Sequence, residues 1–271
     1  MSTMNPKARR RLLKAGTSAH YEDAHYYDNA YRSRKDDVAF YTDMARSKGG
    51  PVLELGVGTG RVAIDIAHAG IKVVGIDRMA EMLTRAKERI AKLPKEIGAR
   101  IDLRRGDIQR VRLGKRFPLV ISPFNVFMHL YELKEIERTL QTVHAHLTPK
   151  GTFVFDVLMP VPGALARDPS RFYKSRPIKS PADGKRYAYS EAFQYDGVRQ
   201  VQMVTMVFEE LGNHQNNFVT PLAHRQFYPE ELKALLHYNG FKIDAIYGDY
   251  NKGPLTDESE SQIVVARKAT R

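Results

Sequence analysis

The chain of 271 residues contains 42% hydrophobic residues, no cysteine and a formal net charge of +12 at pH 7. Its length suffices for one large core with a small appended lobe. The absence of cysteine excludes disulfides, thiolate catalysis and cysteine-ligated zinc, and we expect no metal cofactor. No apolar run reaches the ~18–20 residues that span a bilayer, and the basic first residues lack the apolar segment of a signal peptide. We therefore expect a cytoplasmic protein without a membrane partner.

The chain begins with a basic segment, residues 1–20, which is expected to be a loose tail. Residues 34–50 follow with apolar positions at helical spacing and a closing glycine pair, which predicts a helix that ends at these glycines. Short β-rich runs then alternate with helical patterns up to Pro160, and this alternation is typical of a parallel sheet wound by right-handed crossovers. The fifth β-rich run is expected to start after a turn at residues 149–151.

Later in the chain, β-rich runs follow one another without intervening helices. Asp196-Gly197 separates two of these runs, which is a strong hairpin signal, and residues 161–228 are predicted to form a small antiparallel β lobe for substrate contacts. Residues 229–271 resume with one helix and two strands. Together with residues 21–160, they predict an α/β fold with a doubly wound, mostly parallel seven-stranded sheet and the lobe inserted after its fifth strand.

The segment VLELGVGTGR, residues 52–61, places glycines at every second position after a predicted buried strand. Such a turn lets the backbone approach a ligand and directs helix N-terminal amides at it. The next strand ends at Asp77, where an acidic side chain accepts hydrogen bonds from ribose hydroxyls. Arg61 stands where the dinucleotide fingerprint has its last glycine, which argues against a nicotinamide cofactor. The whole unit predicts a nucleoside-containing cofactor.

The segment LELGVGTG resembles the first motif of class I S-adenosylmethionine (SAM)-dependent methyltransferases, and the resemblance extends over residues 21–160 and again after residue 222. RRGDIQRV resembles the family's acidic element after the third strand, and SPFNVFMHL its fourth-strand motif. YDNAYRSRKDD is similar to the N-terminal region of glycine N-methyltransferase, which with the sugar N,N-dimethyltransferases represents the nearest subgroup. The resemblance implies SAM as cofactor and S-adenosylhomocysteine as product.

The resemblance also implies roles for individual residues. Tyr27 would lie beside the sulfonium and Arg34 would pair with the methionyl carboxylate, which suits an aromatic face and a guanidinium group. The expected cofactor-binding residues are Tyr27, Arg34, Glu54, Gly56, Gly58, Gly60, Asp77, Arg78, Asp107, Ile108, Pro123 and His129. The expected catalytic residues are Asn125, His129 and Tyr27. The expected acceptor contacts are Asn125, Asp156, Tyr189, Arg225, Tyr228 and Tyr250.

Methyl transfer from SAM is an in-line displacement at an already activated carbon, so the protein contributes alignment, desolvation and electrostatics. A neutral amine attacks without a base, whereas an alcohol benefits from a histidine or a carboxylate. We expect a small-molecule acceptor, with nitrogen favoured over oxygen, and a monomer or homodimer. The glycine enzyme carries an arginine for the acceptor carboxylate after its fifth strand; this chain has none there, which argues against a glycine-like acceptor.

Two alternatives remain open. Residues 85–116 hold twelve Lys/Arg against four acidic residues, and such a basic surface attracts nucleic acid. However, SPFN stands where base-methylating enzymes carry an Asn/Asp-Pro-Pro-aromatic tetrad. The second alternative is an enzyme that cyclises SAM to azetidine-2-carboxylate and releases methylthioadenosine.

Overall fold

The computed structural model describes residues 5–180 and 184–269, which divide into two compact units. The core unit comprises the described residues of Ser33–Met159 and Phe227–Arg271. The lobe unit comprises those of Met1–Arg32 and Pro160–Gln226. The sequence predicts residues 21–32 in the cofactor-binding core, whereas the structure groups them with the lobe unit.

Among the described residues of the core unit, seven strands form one sheet in the order β11-β12-β5-β4-β1-β2-β3. The strands are β1 (Val52–Leu55), β2 (Val73–Asp77), β3 (Ile101–Arg105), β4 (Phe117–Ser122), β5 (Leu147–Leu158), β11 (Phe241–Tyr247) and β12 (Ser261–Lys268). The helices are α3 (Asp36–Lys48), α4 (Arg61–His68), α5 (Ala80–Ile90), α6 (Lys95–Gly98), α7 (Leu133–His146) and α9 (Pro229–Tyr238). β12 runs antiparallel to both neighbours, and the other pairs are parallel. This architecture confirms the predicted doubly wound fold.

Both faces of the core sheet are buried. On β1, Leu53 and Leu55 belong to one apolar cluster, which also contains side chains of α7 and α9. Val52, which points to the opposite face, belongs to a second cluster with side chains of α3 and α4. A strand covered on both faces reads as a continuous apolar run rather than an alternating one, which explains the pattern of β1.

The lobe unit contains a smaller antiparallel sheet in the order β10-β9-β8-β6, with β7 also paired to β8. Its helices are α1 (Pro6–Glu22), α2 (Ala24–Ala30) and α8 (Pro162–Leu165), and its strands are β6 (Tyr173–Lys174), β7 (Ile178–Lys179), β8 (Arg186–Asp196), β9 (Val201–Glu210) and β10 (Phe218–Arg225). The predicted hairpin at Asp196 is confirmed, because the Asp196 carboxylate accepts hydrogen bonds from the backbone amides of Val198 and Arg199 in the turn.

The N-terminal segment differs from the loose tail predicted from its charge, because α1 occupies most of it. Asn5 caps this helix by accepting a hydrogen bond from the Lys7 amide at 2.9 Å. Farther along, α1 packs against β10, where a Cβ on Gly16 would lie 2.7 Å from the Ala223 Cβ. Packing against the lobe sheet, rather than helix propensity, therefore orders this basic segment.

Gly16→Ala is expected to destabilise the lobe unit by about 1–2 kcal/mol. Overpacking typically costs about 1–3 kcal/mol, and the gain in helix propensity offsets up to about 1 kcal/mol of it. Gly163→Ala in α8 is the matched control, since its new methyl group would meet no atom within 4 Å among the described residues. Chemical denaturation of both variants checks the prediction. A Gly16→Ala variant as stable as the control would contradict the close contact between α1 and β10.

The sequence predicts a turn at residues 149–151, but these residues lie inside the long strand β5. Phe117 pairs with Leu147 and Leu119 pairs with Thr152, so β5 carries extra residues as a bulge while strand pairing continues on both sides. No helix within residues 5–180 and 184–269 is long and apolar enough to cross a membrane.

Candidate active site

The glycine-rich turn connects β1 to α4 at the carboxyl end of the core sheet. Gly56 and Gly58 have φ values of +78° and +55°, a conformation that other residues rarely adopt. A Cβ on Gly56 would overlap the side chain of Val126, so the segment after β4 approaches the turn only because glycine stands there. Gly60 precedes α4 as its N-cap. The turn thus presents bare backbone beside a helix N-terminus, an arrangement suited to a polar ligand.

Asp77 ends β2 and faces the glycine turn. One carboxylate oxygen accepts a hydrogen bond from the Gly58 amide at 2.8 Å, and the other accepts one from the Met79 amide at 2.9 Å. Burial raises the pKa of the Asp77 carboxyl, while these backbone hydrogen bonds lower it. Each oxygen retains acceptor capacity beyond its backbone partner, so a pair of vicinal hydroxyls can bind here.

Glu54 lies in β1 with a side chain that is only 2% exposed. Its Oε2 has no hydrogen-bond partner among the described residues. Burial raises the pKa of the Glu54 carboxyl to about 8; Arg61 opposes this shift, and Asp77 adds to it. A buried carboxyl with an unused oxygen is costly unless a ligand supplies a donor or a positive charge.

Two arginines flank the ring of Phe124, just after β4. The guanidinium carbons of Arg61 and Arg34 lie 5.0 Å and 5.6 Å from the ring centroid, within the range of a cation–π contact. Arg61 is fixed by two hydrogen bonds to the buried carboxylate of Asp37, one of them 2.8 Å long. Arg34 is exposed and remains available to a ligand anion.

Asp156, near the end of β5, is only 1% exposed and accepts hydrogen bonds from the segment that follows β4. Its Oδ1 accepts hydrogen bonds from the Tyr41 hydroxyl at 2.5 Å and the Phe124 amide at 2.8 Å. Its Oδ2 accepts one from the Asn125 amide at 3.0 Å. Both oxygens of Asp156 are thus engaged inside the core unit, and the expected contact of Asp156 with the acceptor stays a prediction.

Asn125 combines an unusual backbone with an available side-chain oxygen. Its φ is +64°, and Oδ1 is buried without a hydrogen-bond partner among the described residues. His129 ends the short 3₁₀ turn Val126–His129 and is half-buried. Pro123, which precedes this segment, is buried.

The remaining predicted cofactor contacts lie along the ends of β2 and β3. Arg78 and Asp107 are exposed, and Ile108 is half-buried against the apolar cluster that contains Leu53. The Asp107 carboxylate accepts a hydrogen bond from the Gln109 amide at 2.9 Å. These side chains follow two neighbouring parallel strands, so they lie at the same edge of the sheet as the glycine turn.

Tyr250 and Tyr228, both predicted acceptor contacts, have different surroundings in the core unit. Tyr250 is half-buried beside Phe40, and burial followed by the Asp156 charge raises the pKa of its hydroxyl. Tyr228 is exposed and precedes α9, where its backbone N–H donates a hydrogen bond to the Glu231 carboxylate at 3.4 Å. Its role as an acceptor contact stays a prediction.

Three predicted site residues, Tyr27, Tyr189 and Arg225, belong to the lobe unit. Tyr27 is buried, with its ring 4.8 Å from that of Tyr31. Tyr189 donates a hydrogen bond to Glu191, and burial followed by this bond raises the pKa of the Tyr189 hydroxyl. Arg225 is half-buried at the end of β10. Their roles in binding cofactor or acceptor stay predictions.

An open pocket of ≈ 620 Å³ lies in the core unit between the start of α3 and the connection from β11 to β12. Arg34 and Tyr250 are on its wall. The charged lining residues are Arg34, Lys35, Asp36, Asp37, Asp249, Glu258 and Glu260. Carboxylates therefore outnumber cations around this pocket, although the whole chain carries a net charge of +12.

Four features of the candidate site were not predicted from the sequence. They are the contacts of Tyr41, Asp37 and Phe124 and the ion pair of Arg61. Each acts through a partner that is distant in sequence, such as Asp156 for Tyr41. Within residues 5–180 and 184–269, no group of three or more His, Asp or Glu side chains is placed to hold a metal ion.

Comparison with known families matches residues 52–151, which include the glycine turn, Asp77 and the Phe124–Asn125 segment, to a model described as "Methyltransferase domain". Among solved structures, the chain is similar to the CcbJ methyltransferase of Streptomyces caelestis, with 26% identity and a TM-score of 0.75. This likeness covers 87% of the present chain and 95% of that one.

Two curated relatives share shorter regions. A glycine/sarcosine N-methyltransferase of Halorhodospira halochloris is 28% identical over 165 residues, which are 53% of this chain and 56% of the relative. A dTDP-3-amino-3,4,6-trideoxy-alpha-D-glucopyranose N,N-dimethyltransferase of Streptomyces venezuelae is 26% identical over 142 residues, which are 50% of this chain and 56% of the relative.

Proposed function

This chain is a SAM-dependent methyltransferase with a class I fold, and we propose that it transfers the methyl group to a nitrogen atom of a small molecule. Both curated relatives described above are named as N-methyltransferases. The observation that carries the choice of nitrogen is the buried, unpartnered Oδ1 of Asn125.

The residues of the core unit fit SAM in three respects. Asp77 keeps acceptor capacity for ribose hydroxyls, and the unpartnered Oε2 of Glu54 suits the methionyl ammonium group. Arg34, held over Phe124, suits the methionyl carboxylate. When bound, SAM supplies a methyl carbon that is already activated by its positive sulfur.

An amide oxygen accepts a hydrogen bond but does not remove a proton at neutral pH. Asn125 is therefore suited to orient an N–H or O–H group rather than to deprotonate it, and of the two nucleophiles only a neutral amine attacks through its lone pair without a base. Asp156 is not free to act as a base, because both its oxygens already accept hydrogen bonds inside the core unit. The contribution of these residues is alignment of the nucleophile.

The charge of the pocket beside Arg34 and Tyr250 also supports an amine. Its lining carries five carboxylates and two cations, and because Asp37 is paired with Arg61, four carboxylates remain against the two cations. Such a surface attracts a positively charged molecule and repels a polyanion. An acceptor with one or more amino groups matches this sign.

The basic stretch 85–116 gives less support to nucleic acid binding than its charge suggests. Several of its arginines are used inside the core unit: Arg85 pairs with Glu88, Arg104 pairs with Asp102, and Arg112 donates to Thr142. These partners reduce the charge that the stretch offers to phosphates.

Matched pairs of small acceptors that differ only in carrying an amine or a hydroxyl test the proposal. We expect methylation of amines, with kcat reduced about tenfold to a hundredfold by Asn125→Ala, which removes one hydrogen bond to the nucleophile. SAM affinity should stay near that of the wild type. Methylation of only the hydroxyl partner, or unchanged kcat in Asn125→Ala, would contradict the proposal.

A further inference from the structure

The backbone at Phe124 and Asn125 adopts a conformation that needs external support. Their φ values are +62° and +64°, so two consecutive residues with bulky or branched side chains occupy the left-handed region. This conformation is costly for an aromatic residue such as Phe124, whereas asparagine tolerates it better. The cost must be offset by the surroundings, or the segment would relax to another conformation.

Asp156 supplies that support from the neighbouring strand. β4 and β5 are paired in parallel, and the segment after β4 therefore passes the end of β5. The carboxylate accepts the backbone N–H groups of both left-handed residues, one on each oxygen. Tyr41, from α3, donates to the same carboxylate and fixes its orientation. Hydrogen bonds to a buried carboxylate are stronger than those between neutral groups.

We propose that Asp156 is a positioning residue of the methyltransferase, which holds the Phe124–Asn125 turn and so directs the Asn125 amide oxygen at the acceptor. The inference rests on the proposed function for the role of Asn125. Asp156 acts through this turn and touches neither acceptor nor cofactor.

The same turn links the acceptor side of the site to the cofactor side. The guanidinium groups of Arg34 and Arg61 both lie within cation–π distance of the Phe124 ring, and Arg61 is itself held by Asp37. Loss of the hydrogen bonds between this turn and Asp156 should therefore displace the Asn125 side chain before it affects other residues. Arg61 keeps its own ion pair, so the cofactor side should change less.

Asp156→Asn tests the proposal with little change in size. The new amide keeps one acceptor oxygen but presents an NH₂ group to a backbone N–H, so at least one of the three hydrogen bonds is lost. Hydrogen–deuterium exchange of the peptide 117–130, measured without substrate, should become about tenfold faster or more at Phe124 and Asn125, since one lost bond of about 1.4 kcal/mol corresponds to tenfold. Asp244→Asn, an exposed position on β11, is the control and should leave this peptide unchanged.

Turnover of an amine gives the second readout. Asp156→Asn should lower kcat about tenfold to a hundredfold and leave SAM affinity within about threefold of wild type, because Arg61 keeps its ion pair. In the Asn125→Ala variant, Asp156→Asn should lower kcat almost no further, because both changes remove the same function, the orientation of the acceptor by Asn125. Additive losses in kcat, or unchanged exchange of peptide 117–130, would overturn the proposal.

Two further outcomes are informative. If Asp156→Asn does not fold, Tyr41→Phe removes a single hydrogen bond to Asp156; faster exchange of peptide 117–130 supports the proposal, and unchanged exchange overturns it. If exchange accelerates as expected but no amine is methylated by the wild type, the turn is held as proposed and the assignment of nitrogen as acceptor fails instead.

Discussion

Replacement of Asp77 by alanine is expected to weaken SAM binding by about a hundredfold or more. The carboxylate offers acceptor positions for two ribose hydroxyls, and each hydrogen bond to a charged group contributes about 1.5–3 kcal/mol. The change also removes the hydrogen bond from the Gly58 amide, which holds the glycine turn against β2. Isothermal titration calorimetry of SAM and of S-adenosylhomocysteine measures the effect, and both ligands should lose affinity because they share the ribose.

Asp102→Ala is the matched control for this experiment. Asp102 lies on the neighbouring strand β3, is exposed and pairs with Arg104. An exposed ion pair contributes about 0–1 kcal/mol at most, so this variant should bind SAM as the wild type does. If Asp77→Ala binds SAM within about threefold of the control, Asp77 does not hold the ribose.

Glu54→Gln is expected to make the free protein more stable at alkaline pH and to weaken SAM binding. Burial raises the pKa of Glu54 to about 8, whereas a carboxyl in an unfolded chain titrates near 4.5. Between these values the folded state keeps a proton that the unfolded state has lost, so stability falls as pH rises towards 8 and then levels off. This single group contributes a slope of at most about 1.4 kcal/mol per pH unit.

The comparison with wild type is cleanest between pH 6.5 and 8.5. Burial lowers the pKa of His20 and of His224 to about 4, and their titration in the unfolded state near pH 6.5 is the same in both proteins, so it cancels in the difference between them. Within that window, urea denaturation should show that Glu54→Gln is more stable than the wild type by an amount that grows up to pH 8 and reaches a few kcal/mol. Glu258→Gln, an exposed position, should show no such difference.

SAM binding provides the functional half of this prediction. The cationic methionyl end favours an ionised Glu54, so binding by the wild type should release protons to buffer below pH 8. In Glu54→Gln this release should disappear, and affinity should fall about tenfold or more with the loss of a buried charge pair. Proton release that is the same in both proteins would show that Glu54 does not face the ammonium group.

The elements that the sequence predicts best are those with local signals. β1 and β2 are short apolar runs bounded by glycine or an acidic residue, and the turn between β1 and α4 is marked by alternating glycines with positive φ. Asp77 follows from its place at the end of β2, since the carboxyl ends of parallel strands share one edge. These features depend on residues close together in the chain.

The features that were not predicted from the sequence depend on contacts between segments that are distant in the chain. Arg61 departs from a glycine fingerprint in the sequence, and only the fold reveals its ion pair with Asp37, 24 residues away. Tyr41 and Asp156 are 115 residues apart. Phe124 carries no signal for left-handed backbone, and the carboxylate that accepts the N–H groups of Phe124 and Asn125 belongs to Asp156 on a different strand. The helix α1 was not predicted for a similar reason, because the strand against which it packs, β10, is distant in the sequence.

The proposed function requires that the methyl group of SAM moves to a separate small amine. The most direct measurement is mass spectrometry of the wild-type protein with SAM that carries a deuterated methyl group, with and without an amine acceptor. S-adenosylhomocysteine is expected to form only with the acceptor, in equal amount to an acceptor that has gained the deuterated methyl group. Accumulation of methylthioadenosine without acceptor would contradict it, because SAM would then be attacked by its own amino group.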